Sequence, residues 1–123
     1  MPSHVLVGFA LLASTIAALA QAPAEFPAEA KNLTADALQQ RVAGKVFNVK
    51  PVAGPPWRLQ FQANGYYFIN VGSYSDSGKW RTEDSGLCTA PQKRPASCNE
   101  MRLASDALYL KRDSGEIVKF EPN

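Results

Sequence analysis

The two cysteines of this chain, Cys88 and Cys98, are separated by only nine residues. Their spacing matches neither the C-x-x-C of redox enzymes nor the paired ligands of a zinc site, so a structural disulfide is the favoured interpretation. Closing such a short loop is expected to stabilise a small domain by about 3 kcal/mol, because it restricts the unfolded chain. We therefore expect a disulfide-bonded fold that matures in an oxidising compartment.

The N-terminal segment indicates the same compartment. An apolar run from Val5 to Ala13, followed by the triplet Ala20-Gln21-Ala22, is typical of a cleaved signal peptide over residues 1–22. The apolar run is shorter than the roughly 20 residues that a membrane-spanning helix needs, and no basic cluster follows it. The sequence thus predicts a periplasmic or secreted protein without a stable membrane anchor.

One small domain remains after cleavage. The 101 residues from Pro23 onward suffice for one hydrophobic core but not for two domains. Residues 23–32 are rich in Pro and Ala without a period, so we expect a flexible lead-in before a single domain over residues 33–123. The balance of 13 Lys and Arg against 11 Asp and Glu is too close to neutral to indicate nucleic acid as a partner.

A short helix is predicted at the start of this domain, over residues 35–43. Thr34 can cap its first turn, and Leu38 and Val42 share one face. Gly44 fits the position just past its end.

From Lys45 onward the apolar residues recur with a period of two, which is typical of strands with one buried face. Strands are predicted at residues 44–50, 57–62, 66–71, 79–83, 87–90, 99–104, 107–111 and 116–121. Turn residues such as Ser75-Asp76-Ser77-Gly78 and Asp113-Ser114-Gly115 separate them. We expect a mainly β fold with one short N-terminal helix. Its architecture is an antiparallel meander of seven or eight strands, either a bent sheet or a small barrel.

The dipeptide Asn64-Gly65 is a hairpin signal that sets the register of the two strands around it. If the loop has two residues, Phe61 pairs with Phe68 and both side chains lie on the buried face. The helix is then expected to cover the opposite face of the second strand, which carries Tyr67, Ile69 and Val71.

Two successive motifs, Asp76-Ser77-Gly78-Lys79-Trp80 and Asp84-Ser85-Gly86-Leu87-Cys88-Thr89, follow this hairpin. With its D-S-G-x-W and G-x-C-T patterns, the chain resembles small exported bacterial β-domain proteins of uncharacterised function, in which a second cysteine follows shortly after. The resemblance covers roughly residues 33–121. It implies a periplasmic or secreted β-domain and supplies no catalytic residues.

The composition argues against catalysis. The one histidine, His4, lies in the predicted signal peptide, so the domain has no imidazole for acid–base chemistry or zinc binding. Oxidised cysteines are not nucleophiles either. Carboxylates stand at expected turns or strand ends, among them Glu83, Asp84, Glu100 and Asp106. We therefore expect a non-enzymatic protein with no catalytic residue, no metal and no cofactor.

A binding role is the favoured hypothesis, with the disulfide-closed loop as its first candidate surface. This loop carries Gln92, Lys93 and Arg94 between Pro91 and Pro95, so two positive charges stand at a tip of limited flexibility. Such a loop suits docking onto an acidic protein partner or inhibition of an enzyme. The competing interpretation is a solvated surface loop.

The second candidate is the interior of a barrel. Eight strands enclose a space that is either filled by side chains or holds one small ligand. A carrier of small hydrophobic ligands would line that space with Trp57, Phe61, Phe68 and Trp80. The competing interpretation is a packed core, in which Trp80 is an ordinary core aromatic.

Overall fold

The computed structural model describes residues 23–123, and the predicted signal peptide over residues 1–22 lies outside the described residues. The strands are β1 (Lys31–Asn32), β2 (Lys45–Val49), β3 (Trp57–Phe61), β4 (Tyr66–Val71), β5 (Tyr74–Glu83), β6 (Gly86–Pro91), β7 (Ser97–Ala104), β8 (Ala107–Lys111) and β9 (Ile117–Pro122). One helix, α1 (Ala35–Val42), lies between β1 and β2. The prediction of a mainly β fold with one short N-terminal helix is confirmed.

Strands β2 to β9 form a closed barrel in which each strand pairs antiparallel with the next one along the chain. The first and last strands close it, with Phe47 opposite Pro122 and Asn48 opposite Glu121. The sequence left a bent sheet and a barrel as alternatives, and the structure is the barrel. The short strand β1 adds to β7 as a ninth strand.

The helix forms as predicted, apart from its last residue. The Thr34 hydroxyl accepts a hydrogen bond from the amide of Ala37 (3.1 Å) and so caps the first turn. Gly44 follows the helix with φ +76°, a left-handed conformation that glycine adopts without strain. Leu38 and Val42 are fully buried in the core.

The register of β3 and β4 differs from the predicted one by a single residue. Phe61 lies opposite Tyr67, because the loop has three residues and ends at Gly65 with φ +92°. A shift of one residue turns every side chain to the other face, so Tyr67 is buried and Phe68 is 40% exposed. The prediction that Phe68 shares the buried face is wrong. So is the prediction that the helix covers Tyr67, Ile69 and Val71.

The predicted turn at Ser75-Asp76-Ser77-Gly78 is also wrong, because these residues lie within the ten-residue strand β5. The turn comes earlier, at Gly72-Ser73, where Gly72 has φ +58° and Val71 lies opposite Tyr74. Gly78 instead allows strands β5 and β6 to lie close together, because it has no side chain. A Cβ atom there would lie 2.1 Å from the carbonyl oxygen of Ala90 on β6.

The up-and-down order of the strands sorts the connections to the two ends of the barrel. The β3–β4, β5–β6 and β7–β8 loops share one end with α1, which we call the helix end. Here the Thr82 hydroxyl donates to the carbonyl of Ala35 (2.8 Å), and Arg41 pairs with Asp106 (3.1 Å). The β2–β3, β4–β5, β6–β7 and β8–β9 loops surround the opposite end, which we call the mouth.

Residues 23–32 are mostly exposed, as expected for a lead-in, yet they contact the barrel at defined points. The carbonyl of Pro23 accepts a hydrogen bond from the amide of Ile117 (2.7 Å). The Arg102 guanidinium lies over the ring of Phe26, 4.5 Å from its centroid. Since β1 pairs with β7, the folded unit begins two residues before the predicted domain start at Leu33.

Ser85, in the β5–β6 loop, joins the chain that precedes the helix to the wall of the barrel. It is 9% exposed, and its hydroxyl accepts a hydrogen bond from the amide of Leu33 (2.9 Å) while donating to the carbonyl of Met101. One side chain therefore satisfies two backbone groups from distant parts of the chain.

We predict that Ser85→Ala lowers the free energy of unfolding by about 1–3 kcal/mol, because both backbone groups lose their partner. Urea denaturation monitored by circular dichroism measures this difference. Ser75→Ala is the matched control, since Ser75 is exposed on β5, and we expect it to change stability by less than about 0.5 kcal/mol. Equal stabilities of the two variants would contradict the role given to Ser85.

Candidate functional site

A cavity of about 750 Å³ opens at the mouth and extends into the barrel. This volume lies within the roughly 300–1,000 Å³ of typical small-molecule sites. Part of its wall consists of apolar core residues that face inward from the strands, namely Leu59, Phe61, Leu87, Leu110 and Phe120. The inner wall is therefore apolar.

Half-buried residues continue the wall toward the mouth, and Trp57 is the largest of them. The Arg112 guanidinium lies over its ring, 4.7 Å from the centroid, and also pairs with the carboxylate of Glu116 (2.6 Å). Glu116 accepts a second hydrogen bond from the amide of Val52 (2.9 Å). Arg112 and Glu116 thus neutralise each other at one side of the mouth.

Asp76, on β5, holds the loop that crosses the other side of the mouth. Its carboxylate accepts hydrogen bonds from the amides of Ser77 (2.7 Å), Gln92 (3.2 Å) and Lys93 (3.0 Å), and from the Tyr74 hydroxyl (3.2 Å). The β6–β7 connection over residues 92–96, which we call the mouth loop, is therefore tied to β5. This role was not predicted, because the sequence pattern indicates a turn at Asp76.

The same hydrogen bonds keep Asp76 ionised. Burial of the side chain, which is 8% exposed, acts to raise its pKa. The bonds from Lys93, Ser77, Tyr74 and Gln92 together outweigh burial and hold the pKa of Asp76 below the ordinary value of 3.8. At neutral pH the loop is thus held by a full negative charge.

Lys93 and Arg94, which the sequence singled out, lie against one face of the mouth. The Nζ atom of Lys93 and the Cζ atom of Arg94 are 5.3 Å and 5.0 Å from the ring centroid of Tyr74. Lys93 donates to the carbonyl of Ser75, while Arg94 lines the cavity. Gln92 is exposed, with its amide bound to Asp76.

Neutral polar groups complete the lining, and Tyr67 and Thr89 are two of them. Burial raises the pKa of the Tyr67 phenol, and the Thr89 hydroxyl and the Arg94 charge offset this only in part. The phenol therefore keeps its proton at neutral pH and is able both to donate and to accept a hydrogen bond.

The four predicted lining residues separate into three groups. Trp57 and Phe61 line the cavity. Trp80 belongs to the core, where its Nε1 donates to the carbonyl of Gln62 (2.9 Å) and its ring meets the ring of Phe61 edge-on at 5.6 Å. Phe68 is on the outer surface, because Phe61 pairs with Tyr67 and the register is shifted by one residue.

The predicted disulfide is confirmed. Cys88 and Cys98 lie directly opposite each other on β6 and β7 and are bonded. Glu83 is close to both sulfur atoms, and within residues 23–123 these three form the one cluster with metal-ligand spacing. Because the sulfurs are bonded to each other, the cluster offers no thiolate to a metal ion.

The four carboxylates that the sequence offered for catalysis do not line the cavity. Glu83, Glu100 and Asp106 each form an ion pair with an arginine, at 2.8, 2.9 and 3.1 Å. Asp84 occupies the tight β5–β6 turn with φ +49°. These groups are thus separated on the surface and do not converge on one site.

Comparisons with protein-family models, curated proteins and solved structures found no match to this chain. The resemblance to exported β-domain proteins therefore stays a prediction. Within the part of the chain that the structure describes, no helix combines the length and the apolar character needed to cross a membrane.

We predict that Asp76→Asn frees the mouth loop. The amide proton of Lys93 loses its charged acceptor, so its hydrogen exchange, followed by NMR, should accelerate at least about tenfold. The amide of Gln92 keeps a second hydrogen bond, to the carbonyl of Ser77 (3.1 Å), so its exchange should change less. Asp113→Asn is the control, because Asp113 lies at the mouth but accepts its bond from Asn99. Equal exchange rates in the two variants would show that Asp76 does not hold the loop.

The same variant should change the dependence of stability on pH. The pKa of Asp76 is lowered by folding, so its stabilising contribution is present above the ordinary value of 3.8 and is lost as the pH falls through the lowered value. We expect the melting temperatures of the original protein and Asp76→Asn to converge between about pH 6 and pH 2. A difference that is constant over this range would contradict the assignment.

Proposed function

We propose that this protein binds a small, mainly apolar molecule in the open end of its barrel and does not catalyse its conversion. The observation that carries this proposal is the cavity of about 750 Å³, with an apolar inner wall and a few polar groups at its mouth. Concave, largely apolar sites with a small number of converging polar groups are the usual form of small-molecule sites.

The two halves of the barrel interior are filled differently, which supports a site at one end. Toward the helix end, the rings of Phe47 and Phe120 pack at 5.1 Å between centroids, and those of Phe61 and Phe120 at 6.4 Å. Leu38 and Val42 from α1 belong to the same core cluster. The interior of an eight-stranded barrel either is filled by its own side chains or has room for one small ligand. In this barrel, side chains fill the half toward the helix end, and the cavity occupies the half toward the mouth.

The chemistry of the lining favours binding over catalysis. The Asp76 carboxylate is occupied by four hydrogen bonds, and Arg112 is paired with Glu116. Both cysteines are oxidised, and the one histidine of the chain lies in the predicted signal peptide. Such a lining can orient a bound molecule but offers no matched acid and base.

We also place this activity outside the cytosol. The Cys88–Cys98 bond is compatible with a periplasmic or secreted protein, since disulfides persist in oxidising compartments. The predicted signal peptide supports the same location.

Docking of an acidic protein partner through the mouth loop is a second candidate function. Lys93 and Arg94 are exposed, and the Asp76 hydrogen bonds pre-organise the loop that carries them. Replacing both residues with Ser should abolish capture of such a partner while leaving the binding of a neutral molecule in the barrel intact. Unchanged capture would exclude this role for the loop.

We predict that decanol, used as a neutral apolar probe, binds the protein and that Ile69→Trp weakens this binding at least about tenfold, because the indole fills the cavity. Isothermal titration calorimetry measures the affinities. Phe68→Trp adds the same ring to the outer face of the same strand, so its affinity should stay within about twofold of the original. Circular dichroism is used to check that both variants fold.

Failure of decanol to bind the original protein, or equal affinities of Ile69→Trp and Phe68→Trp, would contradict binding inside the barrel. Thr89→Phe, which also narrows the cavity, repeats the test if Ile69→Trp does not fold.

A further inference from the structure

We infer that the molecule bound in the barrel carries a head group with one negative charge, such as a carboxylate, which pairs with Arg94 while the apolar part lies against the inner wall. This inference rests on the proposed function and adds the chemical class of the ligand.

The charged side chains of the mouth differ in how many hydrogen bonds and ion pairs they already form with other protein groups. Asp76 accepts four hydrogen bonds, Asp113 accepts one from Asn99 Nδ2 (2.9 Å), and Glu116 is paired with Arg112. Lys93 donates to a backbone carbonyl.

Arg94 lines the cavity and has no carboxylate within ion-pair distance among residues 23–123. Its guanidinium is therefore the group with unused binding capacity.

The position of Arg94 leaves that capacity accessible. The Cζ atom of its guanidinium lies 5.0 Å from the ring centroid of Tyr74, a distance at which the ring attracts the cation while the N–H groups can still bind an acceptor. A carboxylate is the planar, monoanionic group that matches this edge with two parallel hydrogen bonds. The Tyr67 hydroxyl lies in the same cavity and keeps its proton, so it offers a further donor to an anion.

The balance of charge on this side of the mouth favours a single negative charge. The charged groups in contact with Tyr74 are Lys93, Arg94 and Asp76, so the net charge around this ring is +1. Asp113, which also lines the cavity, accepts a hydrogen bond from Asn99. A monoanion neutralises the net charge around Tyr74. A dianion such as a phosphate monoester would leave excess negative charge close to Asp76, and a cation would meet unfavourable charge from Arg94.

The apolar part of the ligand is defined by the opposite end of the same cavity. Leu59, Phe61 and Phe120 face it, and Trp57 and Ile69 form its wall nearer the mouth. A single alkyl chain or a small ring system bearing one carboxylate can therefore pack against the apolar wall and pair with Arg94 at the same time.

The test compares decanoate with decanol, which share one chain length and differ in charge, by isothermal titration calorimetry at neutral pH and low salt. We expect the original protein to bind decanoate at least about tenfold more tightly than decanol. Arg94→Gln should remove this preference, so that decanoate and decanol bind with affinities within about twofold of each other. Arg94→Lys, which keeps the charge but not the two parallel donors, should keep only part of the preference.

Arg58→Gln is the matched control, because Arg58 is an exposed arginine of β3 and the change in net charge is the same. It should keep the full preference for decanoate. Binding of both probes without preference, or a preference that survives Arg94→Gln or is lost in Arg58→Gln, would overturn the inference and leave the proposed function standing. Binding of neither probe would overturn both.

Discussion

Pairing between β2 and β9 is the contact on which the rest of the structure depends. Two residue pairs connect these strands, Phe47 with Pro122 and Asn48 with Glu121. The backbone amide of Asn123 donates to the carbonyl of Val46 (3.1 Å), and the side-chain amides of Asn48 and Asn123 add a hydrogen bond of 2.9 Å. This short contact converts a meander into a closed barrel, so neither β2 nor β9 is left as an edge strand. Closure also gives every strand an inner and an outer face, so it determines which side chains form the core and which line the cavity.

The ends of the barrel are built for different tasks, and this difference connects the fold to the proposed function. At the helix end, Leu38 and Val42 enter the core, and Ser85 binds backbone groups from two segments. Among residues 23–123, no buried polar side-chain atom lacks a hydrogen-bond partner. At the mouth, Asp76 uses its charge to hold a loop, and the loop brings Arg94 to the edge of the cavity. Rigid support at one end and accessible polar groups at the other are what a binding site requires.

The sequence was sufficient for features that depend on local chemistry. The Thr34 cap, the helix face and the disulfide follow from residue type and spacing. Register was a different case, because Asn64-Gly65 suits loops of two and of three residues, and the choice decides which face Phe68 occupies. The role of Asp76 was also hidden, since its hydrogen bonds reach residues 16 and 17 positions away along the chain. No local pattern reports such contacts.

The most direct test of a ligand site inside the barrel is an NMR measurement of intermolecular nuclear Overhauser effects between decanol and the methyl groups of the protein. We expect contacts from the decanol chain to Ile69, Val71 and Leu110, which line the cavity. We expect none to Val52, which is 50% exposed and lies outside that lining. Contacts confined to methyl groups outside that lining, such as those of Val52, would contradict a ligand site inside the barrel.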